Sequence, residues 1–135
     1  MKNFTLEPMG TTIVGAGSVA QIAEHVRHHG ARAFVVSDPG VRSAGVLDRV
    51  TSVFTENDLE YTTFVDVDPN PTDANVAAGV SRLKEFGLKD TVIVLVGGGS
   101  VMDCGKYMAM AAPSGIDDLS LAFSPELDDR DRINF

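Results

Sequence analysis

Residues Thr91–Lys106, TVIVLVGGGSVMDCGK, decide the fold that this sequence predicts. The run Val92–Val96 is continuously apolar and rich in β-branched side chains, which predicts a strand covered on both faces. Three glycines follow, and Ser100, Asp103 and Lys106 then recur at every third position. That spacing places the three polar side chains on one face of a helix beginning near Ser100. The stretch therefore predicts a buried strand, a glycine turn and a helix.

The rest of the chain alternates between strand and helix patterns. Strands are predicted at Ala31–Ser37 and Tyr61–Val67, with a short leading strand near Thr12–Val14. Helical stripes of apolar residues lie between them: Val19, Ile22, Ala23 and Val26 after a Ser18 N-cap; Val46, Leu47, Val50, Val53 and Phe54; Val76, Val80 and Leu83 after Thr72; and Val101–Ala112. Alternating elements with short connections predict an α/β fold with a Rossmann-like, doubly wound parallel sheet in a single domain.

Composition narrows the functional classes. The chain has 135 residues and a net charge of −8, which argues against binding to nucleic acid or to anionic membranes. No apolar run approaches the ~18 residues of a membrane helix, and the first ten residues lack the apolar region of a signal peptide.

Cys104 is the only cysteine and lies among apolar residues, so we expect a buried thiol and a cytoplasmic location. From Pro113 onward six acids and two bases indicate a solvated acidic tail, so the predicted boundaries are 1–112 and 113–135.

The glycine turn carries the chemistry. In open α/β sheets ligands bind beyond the carboxyl ends of the strands, where Gly97, Gly98 and Gly99 fall. Glycine permits positive φ and lets a phosphate approach the backbone, and the N-terminus of the next helix favours an anion. Three glycines alone fit a tight turn equally well. With Ser-x-x-Asp-x-x-Lys attached, a diphosphate site is the better interpretation, although the spacing is not that of a Walker loop.

A second glycine motif precedes it in the chain. GAGSVA, residues 15–20, fits G-x-G-x-x-A, and Asp38 follows at about the distance at which a Rossmann ribose carboxylate would lie. The apolar run before this motif is only a few residues long. We therefore interpret GAGSVA as a packing turn.

Taken together, these motifs resemble the iron-containing (group III) alcohol dehydrogenases. The match to GGGSxxDxxK at residues 97–106 is joined by GAGS, by VVSDPGV around Asp38, and by VDPNPT around Asn70, and it runs from about residue 4 to 112. Glycerol dehydrogenases and dehydroquinate synthases share the superfamily fold. Their loops resemble GGGKxxDxxK and GGGVxxDxxG, so Ser100 with Lys106 favours the alcohol dehydrogenase branch.

The resemblance implies roles for particular residues. Gly97, Gly98, Gly99 and Ser100 would hold the cofactor pyrophosphate, Asp38 the adenosine ribose, and Asn70 would lie near the adenine. Asp103 and Lys106 would face the nicotinamide ribose. A carboxylate at Asp38 accepts hydrogen bonds from a ribose diol and repels a 2′-phosphate, so NAD is expected rather than NADP. The substrate would be an alcohol or aldehyde, and the resemblance also implies a homodimer formed through amino-terminal strands near Phe4–Val14.

The same resemblance implies that part of the enzyme lies elsewhere. Family members are longer, and they hold iron, zinc or another divalent metal through one Asp and three His in a C-terminal helical domain. The histidines here, His25, His28 and His29, share one early helix, and we expect a polar surface rather than a metal site. We therefore expect no catalytic residue in these positions, weak or undetectable NAD binding, and no alcohol oxidation by this truncated chain alone. One alternative is a stand-alone nucleotide-binding or interaction module without catalysis, and the other is a relative of the glycerol dehydrogenase or dehydroquinate synthase type.

Overall fold

A three-stranded parallel sheet lies at the centre of the computed structural model, which describes residues 13–114. Its strands are β1 (Arg32–Val36), β2 (Glu60–Phe64) and β3 (Thr91–Leu95). The spatial order is β2-β1-β3, and Val36 of β1 lies opposite Phe64 on one side and Leu95 on the other. The predicted α/β fold with a doubly wound parallel sheet is confirmed.

Helices cover both faces of this sheet. Within the described residues they are a 3₁₀ turn (Ser18–Gln21), α1 (Ile22–His29), α2 (Pro39–Ser43), α3 (Val46–Glu56), α4 (Asp73–Phe86) and α5 (Gly99–Ser114). Successive residues of β1 point to opposite faces: Phe34 packs with α4 and α5, whereas Val35 packs with α1 and α3. Both side chains are fully buried, which explains why β1 is apolar after Arg32 and β3 is apolar after Thr91.

The strand order creates the crevice in which ligands bind in such sheets. From β1 the chain passes to β2 on one side, and from β2 it crosses to β3 on the other side of β1. The chain leaves β1 toward α3 on one face of the sheet and leaves β3 toward α5 on the other face, so the two connections diverge at the carboxyl ends of these strands. This divergence is the topological switch point, where doubly wound sheets bind ligands.

Two predictions at the amino-terminal end were wrong. Ile13 and Val14 are not in a strand, and Val14 is 90% exposed. A strand needs a neighbour for its backbone groups, and no described strand lies beside these two residues. Thr12 lies outside the described residues. Ser18 is the first residue of the 3₁₀ turn and not its N-cap. The N-cap position is occupied by Gly17, which is in the left-handed conformation (φ 77°).

Three further boundaries differ from the prediction. The short helix α2 was not foreseen, and β2 ends at Phe64, three residues before the predicted end. Helix α5 continues through Pro113 to Ser114, past the predicted domain boundary at residue 112. The remainder of the predicted acidic tail and most of the predicted dimer segment lie outside the described residues. No helix within residues 13–114 combines the length and apolar character that crossing a bilayer requires.

Candidate functional site

A cleft of ≈ 400 Å³ opens at the switch point between β1 and β3. Three segments form it: the turn after β1, the loop after β2 and the glycine turn after β3. Its lining residues are Asp38, Pro39, Gly40, Val67, Asp68, Pro69, Gly98, Gly99 and Ser100. Segments that are far apart in the chain therefore meet where the sequence motif and the sheet topology both predict a ligand.

Asp38 is held by the helix that follows it. Its Oδ1 accepts a 2.9 Å hydrogen bond from the backbone N–H of Val41, so Asp38 is the N-cap of α2, and Pro39 occupies the first helical turn. Its Oδ2 is directed toward the glycine turn, 3.4 Å from the point that a Cβ on Gly97 would occupy. One oxygen therefore fixes the side chain, and the other lies beside the glycine turn at the cleft.

Ser37 ties the three strands together directly beneath this site. Its side chain is fully buried, and its Oγ donates a 2.7 Å hydrogen bond to the carbonyl of Val96. Its backbone N–H donates to the carbonyl of Phe64 at 2.9 Å. No role for Ser37 was predicted from the sequence. The available signal was a small polar residue at the end of an apolar strand, directly before Asp38.

The three glycines do different things. A Cβ on Gly97 would lie 2.6 Å from Cγ2 of Val101, so this position must be glycine for α5 to pack closely on the turn. A Cβ on Gly98 or Gly99 would meet no atom within 4 Å, because both residues face the open cleft. None of the three has positive φ, so the part of the prediction that invoked left-handed conformations was wrong. The glycines instead allow other atoms to approach the backbone closely: the side chain of Val101 at Gly97, and a ligand at Gly98 and Gly99.

Ser100 links two walls of the cleft. Its Oγ donates a hydrogen bond to the carbonyl of Pro69, in the loop after β2. The hydroxyl therefore does not cap α5, whose hydrogen bonding begins with the N–H of Met102 donating to the carbonyl of Gly98 at 3.0 Å. The first N–H groups of α5 have no carbonyl partner within the helix and carry the positive end of its dipole. Such groups favour an anion placed at this end of the helix.

The structure brings together only part of the predicted set. Asp38, Gly98, Gly99 and Ser100 line the cleft, and Gly97 lies beside Asp38. Three other predicted residues, Asn70, Asp103 and Lys106, are exposed and are not among the described residues that line it. Asn70 directly follows the wall residue Pro69, and Asp103 and Lys106 lie further along α5.

The residues of the second glycine motif do not line the cleft. Gly15 and Gly17 have φ of 158° and 77°, and within the described part of the chain no strand precedes them. The nucleotide-binding version of this motif requires such a strand. GAGSVA is a turn leading into the 3₁₀ segment, and none of its residues is among those lining the cleft.

The histidines lie on the surface of α1. Nε2 of His28 is 3.7 Å from Oε1 of Glu24, and the rings of His25 and His28 are 6.5 Å apart. Among residues 13–114 no three His, Cys, Asp or Glu side chains are grouped so that they could hold a metal ion.

The thiol of Cys104 is buried within the core, where desolvation raises its pKa from 9.0 to about 11. This predicted buried thiol is confirmed.

Comparison with known proteins agrees with this geometry. Residues 10–132 match the family model described as iron-containing alcohol dehydrogenase. The chain is 34% identical over 113 residues to alcohol dehydrogenase 4 of Saccharomyces cerevisiae, covering 83% of this chain and 28% of that protein. It is 32% identical over 119 residues to the NADPH-dependent aldehyde reductase YqhD of Escherichia coli, covering 87% of this chain and 30% of that protein.

Solved structures show the same relationship. The crystal structure of NADH-dependent butanol dehydrogenase A from Thermotoga maritima superposes with a TM-score of 0.71 and 28% identity, over 83% of this chain and 28% of that one. The chain thus spans somewhat less than a third of the length of these relatives. The family match covers most of the chain, and this chain belongs to the iron-containing alcohol dehydrogenase family.

Proposed function

We propose that this chain forms the NAD-binding part of a metal-dependent alcohol or aldehyde oxidoreductase. The observation that carries the proposal is the cleft, in which the carboxylate of Asp38 and the glycine turn meet at the switch point of the sheet. Open space over Gly98 and Gly99 fits a pyrophosphate lying against the backbone, and the N-terminus of α5 supplies the favourable dipole. When bound, the nicotinamide ring would accept a hydride from the alcohol carbon.

The residues of this chain would bind and orient the cofactor. Oδ2 of Asp38 can accept hydrogen bonds from a ribose diol while Oδ1 stays on the N–H of Val41. Ser100 would act mainly by holding the wall at Pro69, since its hydroxyl is already donated there. We assign the pyrophosphate to Gly98 and Gly99 and the adenosine ribose to Asp38.

Asp38 also supports NAD as the preferred cofactor. The relatives include an NADH-dependent butanol dehydrogenase of Clostridium acetobutylicum and the NADPH-dependent aldehyde reductase of Escherichia coli. A second carboxylate, that of Asp68, also lines the cleft. The carboxylate of Asp38 would repel the extra phosphate of NADP, whereas the charge of Asp68 would act on the pyrophosphate of both cofactors.

The described residues do not fit a metal centre. Within residues 13–114 no cluster of three suitable ligands exists, so we derive no step of the reaction through a metal held by them. In the resemblance set out from the sequence, the metal belongs to a helical domain beyond the region that this chain matches. The contribution proposed for this chain is therefore cofactor binding.

The sequence predicts weak or undetectable NAD binding by this chain, and the open cleft supports weak binding of millimolar affinity, which ligand-observed NMR of the chain mixed with NAD can detect. Saturation transfer to NAD protons should be seen. ADP-ribose should displace NAD, because Asp38 and the glycine turn are assigned to the adenosine half, whereas nicotinamide riboside should not. Absence of transfer at millimolar NAD, or equal displacement by both competitors, would contradict the proposal.

A further inference from the structure

The loop between β2 and α4 forms one wall of the cleft but belongs to neither element. Val67, Asp68 and Pro69 of this loop line the cleft. Val67 is only 1% exposed and anchors the loop in the core, whereas Asp68 and Pro69 are exposed. The position of this wall therefore depends on whatever holds the exposed residues.

The side chain of Asn75, in the first turn of α4, makes hydrogen bonds to this loop. Its Nδ2 donates a 3.1 Å hydrogen bond to the carbonyl of Asp66, and its Oδ1 accepts one of 3.3 Å from the N–H of Asp68. The same oxygen accepts from the N–H of Thr72 at 3.4 Å. One half-buried amide thus connects three points of the loop to the start of a helix.

Asn75 also belongs to a capping box. Oγ1 of Thr72 accepts a 3.3 Å hydrogen bond from the backbone N–H of Asn75, and the side chain of Asn75 returns the bond to the N–H of Thr72. A capping box requires only the contact with Thr72. The additional bonds to Asp66 and Asp68 do nothing for the helix, and their effect is on the wall of the cleft.

We propose that Asn75 is a positioning residue for dinucleotide binding, which rests on the NAD-binding function proposed above. Asn75 is not among the described residues that line the cleft, so it acts through Asp68 and Pro69. Hydrogen bonds that order a wall before the ligand arrives remove an entropic cost from binding. The bond from Ser100 to Pro69 fixes the far side of the same loop, so the wall is held from both neighbouring helices.

A matched pair of substitutions separates the two roles of Asn75. Thr72→Ala and Asn75→Ala each remove one half of the capping box, and Asn75→Ala should lower the free energy of unfolding somewhat more because it also removes the bonds to Asp66 and Asp68. Only Asn75→Ala releases Asp66 and Asp68. NMR titration of the full chain with NAD should give an affinity within about twofold of wild type for Thr72→Ala, and about tenfold weaker for Asn75→Ala.

Amide hydrogen exchange in the absence of ligand supplies an independent readout. The N–H of Asp68 should exchange faster in Asn75→Ala than in Thr72→Ala, because only the former removes its acceptor. Equal exchange of this amide in the two variants, or equal NAD affinity, would overturn the assignment of Asn75. If wild type binds no NAD at all, the proposed function fails instead, and the exchange comparison alone decides whether Asn75 holds the loop.

Discussion

The hydroxyl of Ser37 donates a 2.7 Å hydrogen bond to the main-chain carbonyl of Val96, joining the ends of two strands from inside the protein. Ser37 immediately precedes Asp38, and Val96 immediately precedes Gly97. Together with the 2.9 Å bond from the N–H of Val96 to the carbonyl of Val36, this bond helps to fix how far the carboxylate lies from the glycine turn. It is entirely buried, so no water can replace it if either partner is lost.

Replacing Ser37 by Ala should leave the Val96 carbonyl without this buried donor. We expect the free energy of unfolding to fall by about 1–3 kcal/mol, the usual cost of an unsatisfied buried polar group. Urea unfolding followed by circular dichroism measures the change. Ser52→Ala, at an exposed position on α3, is the control and should stay within about 0.5 kcal/mol of wild type. A Ser37→Ala variant as stable as that control would show that the bond contributes nothing.

The glycine triplet should divide into one structural and two binding positions. Gly97→Ala places a methyl group 2.6 Å from Cγ2 of Val101 and should cost about 1–3 kcal/mol of stability through overpacking. Gly98→Ala points into open space and should leave stability within about 0.5 kcal/mol while weakening NAD binding. Thermal unfolding and NAD titration of both variants test this division. Retention of full NAD affinity by Gly98→Ala would remove the pyrophosphate from this position.

Asp38→Asn separates the charge of Asp38 from its capping role. The amide oxygen can still accept from the N–H of Val41, so α2 should stay capped. Loss of the carboxylate should lower the ratio of NAD to NADP affinity by about tenfold, because it no longer repels the 2′-phosphate. Parallel NAD and NADP titrations measure the ratio, with Glu56→Gln, an exposed charge on α3, as the control. An unchanged ratio would mean that Asp38 does not face the ribose.

The thiol of Cys104 should be unreactive in the folded chain. Burial raises its pKa from 9.0 to about 11, so a disulfide reagent should label it rapidly only after unfolding. The folded thiol keeps its proton at pH values where the unfolded thiol ionises. Its contribution to stability is therefore complete below pH 9 and is lost as the pH rises to about 11.

Urea titrations on both sides of this range, compared with Cys104→Ala, isolate that contribution. The wild type should lose more stability than the variant between the lower and the higher pH. Rapid labelling of the native chain near neutral pH would instead place the thiol within reach of solvent.

Local sequence was enough to predict the three strands and most of the helices. The apolar, β-branched runs around Phe34 and Ile93 can bury all their side chains only between two layers of helices. Thr72 and Gly87 mark the two ends of α4. The predictions were wrong where tertiary contacts, rather than the local sequence pattern, decide the structure. Ile13 and Val14 look like a strand but have no neighbour to pair with in the described chain, and the one-turn helix α2 depends on a cap by Asp38 rather than on periodicity.

By itself the sequence determined which segments are buried, where the glycine turn follows β3, and that Asp38 comes shortly after β1, because these depend on side-chain polarity and spacing along the chain. Only the tertiary structure decided that Asp38 lies beside Gly97 and that Ser100 donates to Pro69, 31 positions earlier. Those contacts follow from the order β2-β1-β3, which brings the ends of β1 and β3 together and leaves the loop after β2 as their common wall. Strand order depends on how whole layers of helices and strands pack, and the local periodicity of the sequence does not specify it.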